Sequence, residues 1–231
     1  MIACVTATTG GRTMPISMTF TEPTRAVTPD ELESTVLAGS DRNVVFIAGT
    51  LSAFLAHERS GLALYRVAAE LSDNPMLVAK YEEFGRETAE HITIYETLVF
   101  ALGGDPGYVS PAARMTEQMG AKLLEAPVSL AGSVDLLTLE ASLLEAVVIA
   151  EHKCHDNWML LARMGEELTD GPAREAIREA VAKVEIQEDE HVRWATDTWF
   201  QLAMTNAEHP VASGLLGLVE RAKHTVKEAL T

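Results

Sequence analysis

Cysteine is nearly absent from this chain: Cys4 and Cys154 are the only two among 231 residues, far apart and in different settings. That excludes a disulfide framework and makes a reducing cytoplasm the expected compartment. Positive charge is also scarce. Against 34 Asp and Glu stand 18 Lys and Arg, a formal net charge of −16, which argues against nucleic acid or an anionic membrane as a partner. No charge-free apolar run reaches the roughly 20 residues a membrane span needs, so a soluble protein is expected. The first 27 residues lack both the basic start and the apolar run of a signal peptide. Rich in Thr, Pro and Gly, they read as a mobile arm. Over the whole chain Pro and Gly are infrequent, at 9 and 15 residues, and hydrophobic content is 47%. Most of the chain should therefore fold, as one domain with a well-buried core.

What is present is helix. Thr28-Pro29-Asp30-Glu31 has the spacing of a capping box and suits a short helix within an arm covering residues 1–40. The first long helix is expected from near Asp41 to about Leu71, along Ile47, Leu51, Phe54, Leu55, Leu62 and Tyr65 at three- and four-residue steps. Asp73-Asn74-Pro75 stops it and caps a second helix, which Gly103-Gly104 ends after Leu102. Asp105 to Ser133 reads as a long connection, punctuated by Pro106-Gly107, Pro111 and Pro127, around a short amphipathic piece from Ala112 to Leu124. A third long helix is expected from after Ser133 to about Met164, and a fourth from Asp170-Gly171-Pro172 to about Asn206. A shorter one fits Val211 to Leu230, inside a C-terminal segment 207–231. No strand-like alternation competes with this pattern. Short connections imply antiparallel neighbours, and the long one sets two hairpins side by side. The expected class is all-α, a four-helix bundle over residues 41–206.

Acidic and imidazole side chains recur on the apolar stripes of these helices, where they are costly unless a cation or a polar network compensates them. The first helix offers Glu58, in register with Leu55 and Leu62, while the adjacent His57 points about 100° away. On the fourth, Ile177, Val181, Val184, Glu188, His191 and Ala195 keep strict three/four spacing, so Glu188 and His191 share one face a turn apart. On the second, His91 lies in line with Phe84, Ile94, Tyr95 and Leu98. Its i−3 neighbour is Thr88 rather than a carboxylate. Glu87, about 40° around the axis from His91, is the substitute candidate, and Glu90 is less well aimed. The third helix presents Glu151, with His155 one turn further on.

Each residue has a plainer reading. His91 and His155 can be hydrogen-bonded structure, Glu87 and Glu90 a solvated face, and Tyr65 and Trp158 core aromatics. His152 and Glu190 read as surface residues. The joint placement on four helices is harder to make from solvated faces, and it points to a metal site with Glu58, Glu87, His91, Glu151, His155, Glu188 and His191 as candidate ligands. Tyr65, seven residues after Glu58 as Trp158 is seven after Glu151, could donate a hydrogen bond or an electron. This repeat implies a pseudo-twofold site between the hairpins. Carboxylate and imidazole donors favour Fe²⁺ or Mn²⁺, cations that the negative net charge also attracts.

These residues resemble the ferritin-like superfamily, the carboxylate-bridged di-metal bundles that include ferritins, rubrerythrins and di-iron oxygenases. The resemblance covers roughly residues 41–206. It rests on Glu58 with Tyr65, on His91 followed by Leu102-Gly103-Gly104, on Glu151, and on Glu188-x-x-His191. It implies Glu58 and Glu151 as terminal carboxylates, Glu188 as a bridge, His91 and His191 as imidazole ligands, and two ions of Fe, or Mn, per chain. Thr88 departs from the pattern, standing where a second bridging Glu is expected. The implied function is a redox protein acting on O₂ or H₂O₂ as ferroxidase, peroxidase or oxygenase, the last with a small organic substrate. The alternatives are metal handling without turnover, a dimanganese catalase-like enzyme, or a metal-free structural bundle. A homo-oligomer, a dimer in the simplest case, is expected.

Overall fold

The computed structural model describes residues 2–9, 12–19 and 43–208. Strands β1 (Ile2–Thr9) and β2 (Arg12–Thr19) pair antiparallel, in register from Ile2 opposite Thr19 to Thr9 opposite Arg12. This differs from the mobile arm expected there. The segment is rich in β-branched residues, and Gly10-Gly11, which separates the strands in sequence, is a favoured two-residue hairpin connection. The helix starts expected at Thr28 and Val211 lie outside the described residues.

From Asn43 onward the regular structure of the described chain is all helix, and four of the five helices begin on a side-chain cap. Helix α1 (Val44–Leu71) starts where Asn43 Oδ1 accepts the Phe46 N–H at 3.0 Å. Helix α2 (Pro75–Ala101) starts on Asn74, whose Oδ1 takes the Met76 N–H, with Pro75 in the first turn. It ends before Gly103, whose φ of 81° is the left-handed conformation that glycine adopts without strain. Helix α4 (Leu136–Glu166) starts on Asp135, which accepts from the N–H groups of Leu137 and Thr138. Helix α5 (Pro172–Glu208) follows Gly171.

The connection between α2 and α4 contains more helix than its prolines suggest. Helix α3 spans Pro111–Leu130 and passes through Pro127 without ending. Pro127 falls in the last turn and is buried with Leu124 and Val128, so packing offsets the lost backbone donor. Its start is pinned to α1: Ser110 Oγ donates to the Gly49 carbonyl at 2.9 Å, and Ser52 Oγ accepts the Ser110 N–H at 3.0 Å. Further along, Gly120 allows a close approach, since a Cβ there would lie 2.6 Å from Ser60 Cβ.

Helix α1 packs on α2 and α3, α4 packs on α5, and the two pairs meet through α1 with α4 and α2 with α5. Ser72 Oγ at the α1–α2 corner donates to buried Glu140 Oε1 of α4 at 2.6 Å. The apolar core is in two clusters. One gathers Leu64–Leu71 of α1, Leu77–Phe84 of α2, Leu139–Ala150 of α4 and Ala195 of α5. The other gathers Leu51–Leu55, Tyr95–Leu102, Cys154–Leu161 and Ile177–Val184 of the same four helices. Between the clusters, every one of these helices carries a buried polar residue.

Candidate metal centre

That intervening layer consists of Glu58, Thr88 with His91, Glu151, and Glu188 with His191, none more than 4% exposed. Three- and four-residue spacing alone turns them inward, because each occupies the stripe that forms the core a turn above and below. Two compact groups result. Glu58, His91 and Glu188 bring one donor atom each within 4.8 Å of one another, and so do Glu151, Glu188 and His191. Glu188 belongs to both.

The two imidazoles are oriented alike. His191 Nε2 lies 2.7 Å from Glu87 Oε2, and His91 Nε2 lies 2.9 Å from Gln187 Oε1. Those oxygens are acceptors, so they assign the hydrogen to each Nε2 and aim each Nδ1 at the centre. There, His91 Nδ1 is 3.0 Å from Glu188 Oε1 and His191 Nδ1 is 3.3 Å from Glu151 Oε2. Neither contact is aligned as a hydrogen bond. Orphaned with them are Glu58 Oε2, Glu151 Oε2 and Glu188 Oε2, all buried. Five donor atoms thus converge with no hydrogen-bond partner, an arrangement that costs free energy unless positive charge lies among them. Buried carboxylate oxygens and imidazole nitrogens in this arrangement are donors that could hold a metal ion.

Without a metal, protons supply that charge. Burial, then the charge of Glu188, pushes the Glu58 carboxyl up to about 8, against His91 and the hydrogen bonds from Cys154 and Trp158. Burial and Glu151 also raise Glu188, against the pull of His191. Burial by itself would depress His191, but the surrounding carboxylates of Glu151, Glu87 and Glu188 outweigh it and raise the imidazole to about 9.

The remaining sequence candidates stand outside the inner groups. Glu87 touches the outer nitrogen of His191 and is partly exposed. His155 Nε2 pairs with Asp189 Oδ1 at 2.9 Å near the surface. Glu90 is exposed. Thr88, at the position of the missing carboxylate, turns its hydroxyl back to the Phe84 carbonyl at 2.8 Å. Tyr65 is buried with its hydroxyl unpartnered; burial and the adjacent Glu151 raise it well above an ordinary phenol. Its ring meets His191 edge-on, with centroids 6.2 Å apart.

Three contacts escaped the sequence reading, which took Trp158 only as a core aromatic. Trp158 Nε1 donates to Glu58 Oε1 at 2.6 Å. Cys154 Sγ lies 3.0 Å from the same oxygen and 3.5 Å from Glu188 Oε1. Gln187 holds His91. A signal existed for the first two, since Cys154 and Trp158 follow Glu151 by three and seven residues on one stripe. Nothing local marks Gln187.

No protein-family model matches this chain, and no curated protein and no solved structure matches it.

Proposed function

We propose that this chain is a non-haem di-metal carboxylate protein of ferritin-like architecture, using iron or manganese for redox chemistry on O₂ or H₂O₂. The observation that carries the reading is the sharing of Glu188 between two buried Glu/His groups whose inward atoms lack partners. The order of the two apolar clusters supports the architecture: it runs one way along α1 and α5 and the opposite way along α2 and α4. Two hairpins joined by a long crossover have that order, with α3 as the crossover.

In this reading Glu58 and His91 would hold one ion and Glu151 and His191 the other, with Glu188 common to both groups. The metal pair, when bound, supplies two electrons to a dioxygen or peroxide molecule. The protein's own part is positional. Gln187 and Glu87 fix the two imidazole tautomers, Trp158 orients Glu58, and the clusters on either side keep bulk water out. Tyr65, beside Glu151, is placed to donate a hydrogen bond or an electron. Thr88 favours a second reading, a protein that holds the metal without sustained turnover, because one anionic bridge fewer leaves the pair less tightly held. Among the described residues, no helix is long and apolar enough to cross a membrane.

Elemental analysis of untagged protein, from cells supplied with iron and manganese, tests the proposal. About two ions of Fe or Mn per chain is expected, followed by O₂ or H₂O₂ consumption if turnover occurs. A content near zero that anaerobic Fe²⁺ loading does not change would reduce the protein to a structural bundle.

A further inference from the structure

Resting on the O₂ reading, we infer that a small apolar pocket at one end of the bundle binds dioxygen, one molecule at a time, beside the polar layer. Its floor is Leu51 of α1, Leu102 after α2, Leu161 of α4 and Ile177 of α5, none more than 5% exposed. Half-buried Ile47, Met164 and Leu168 form the rim, at the helix ends.

Size and polarity together select the occupant. The space is ≈ 20 Å³, above the roughly 10–15 Å³ that one water-sized molecule needs. It is far below the roughly 300–1,000 Å³ of a site for a larger organic ligand. A water held there would need roughly two to four polar partners, and no lining side chain carries an N–H, O–H or carbonyl group. Dioxygen is of similar width, requires no hydrogen bond and gains by leaving water for hydrocarbon.

The pocket lies on the stripes that build the polar layer. Leu51 precedes Glu58 by seven residues, Ile177 precedes Val184 by seven, and Leu161 follows Trp158, the hydrogen-bond donor to Glu58, by three. One to two helical turns, about 5–11 Å along the axis, separate floor from layer, and Leu55, Tyr95 and Val184 belong to the same apolar cluster. The other cluster ends differently. There Ser72 bonds the buried carboxyl of Glu140 across the α1–α2 corner, a polar seal where the first end has only hydrocarbon and thioether.

Dioxygen is paramagnetic, so it reports its own position. Methyl NMR spectra of the full metal-free chain, under oxygen pressure and then under nitrogen at the same pressure, read where it partitions. The oxygen-induced relaxation is expected to be strongest at the methyls of Leu51, Leu161 and Ile177, in excess of that at Leu64 and Leu143, equally buried in the other cluster. Leu168→Phe fills the pocket from its rim and should lose the excess. Met164→Phe takes its place if circular dichroism shows the first variant unfolded. Equal relaxation in the two clusters, or an excess that survives the folded variant, overturns the dioxygen site and leaves the metal reading standing. Because no metal takes part, neither result depends on whether the chain binds one.

Discussion

The α1–α2 half and the α4–α5 half build the same polar layer from the same pattern, and they differ where the chemistry differs. Glu58 and Glu151 correspond, as do His91 and His191. Each half reaches across to serve the other: Glu87 of the first holds His191, and Gln187 of the second holds His91. Trp158 of the second half bonds Glu58, while Tyr65 of the first faces Glu151 without a bond. At the central position, however, the second half has Glu188 and the first has Thr88. Around it Cys154 corresponds to Gly61, and Gln187 to Glu87. The frame is repeated and the charge is not, so the halves share a fold while presenting different environments to a cation.

Removing the shared residue breaks the comparison most completely. Glu188→Ala should take metal content from about two ions per chain to near zero, whereas Glu58→Ala and Glu151→Ala should each spare about one. Elemental analysis of the three folded variants checks this, and equal losses would mean that Glu188 is no bridge.

Stability against pH separates the halves by where the proton lies. Glu58 is raised from 4.5 to about 8 and His191 from 6.5 to about 9. A group raised in the folded state contributes stability that is present in full below its unfolded value and lost as pH rises through the folded one. The metal-free melting temperature should therefore fall as pH climbs, through Glu58 first and then His191. Metal binding displaces those protons, so loaded protein should reverse the trend. Melting curves with and without metal decide the matter, and a metal-free protein that gains stability over that range contradicts it.

Thr88→Glu makes the halves alike. The variant should bind metal on the order of tenfold more tightly, yet melt lower without metal because it buries another carboxylate. Competition against a chelator measures the first effect, calorimetry the second. The outer partners sharpen the comparison further. Glu87→Gln replaces a charged acceptor on His191 with a neutral one like Gln187, and affinity should fall about tenfold. Gln187→Ala removes the acceptor on His91 and should cost a similar factor, from the other position. The smallest contrast is between Trp158→Phe and Tyr65→Phe in metal-free protein. The first loses a buried hydrogen bond to Glu58 and should cost about 1–3 kcal/mol by chemical denaturation. The second removes a hydroxyl that has no partner and should be close to neutral.

Much of this was legible before any coordinates. The Asn74-Pro75 cap, the stop at Gly103 and the stripes through Leu55, Glu58 and Leu62 or Val184, Glu188 and His191 are local, and they placed the long helices and their inward acids. The β1–β2 hairpin was missed because its Thr, Pro and Gly content resembles that of a loop. The continuation of α3 through Pro127 was missed because a buried last turn overrides a breaker.

The sequence by itself determined which side chains enter the core layer, because helical periodicity is a property of neighbours three and four residues apart. Only the tertiary structure decided what each one meets there. Glu87 has the register of an inner ligand, yet it takes the outer nitrogen of an imidazole on α5. His155 follows the stripe of Glu151 but pairs with Asp189 at the surface. Cys154, unremarkable in the sequence, lies between two carboxylates from other helices. Those outcomes depend on helix separations and rotations set by packing of the two apolar clusters, and residues between 34 and 104 positions apart carry no local record of them.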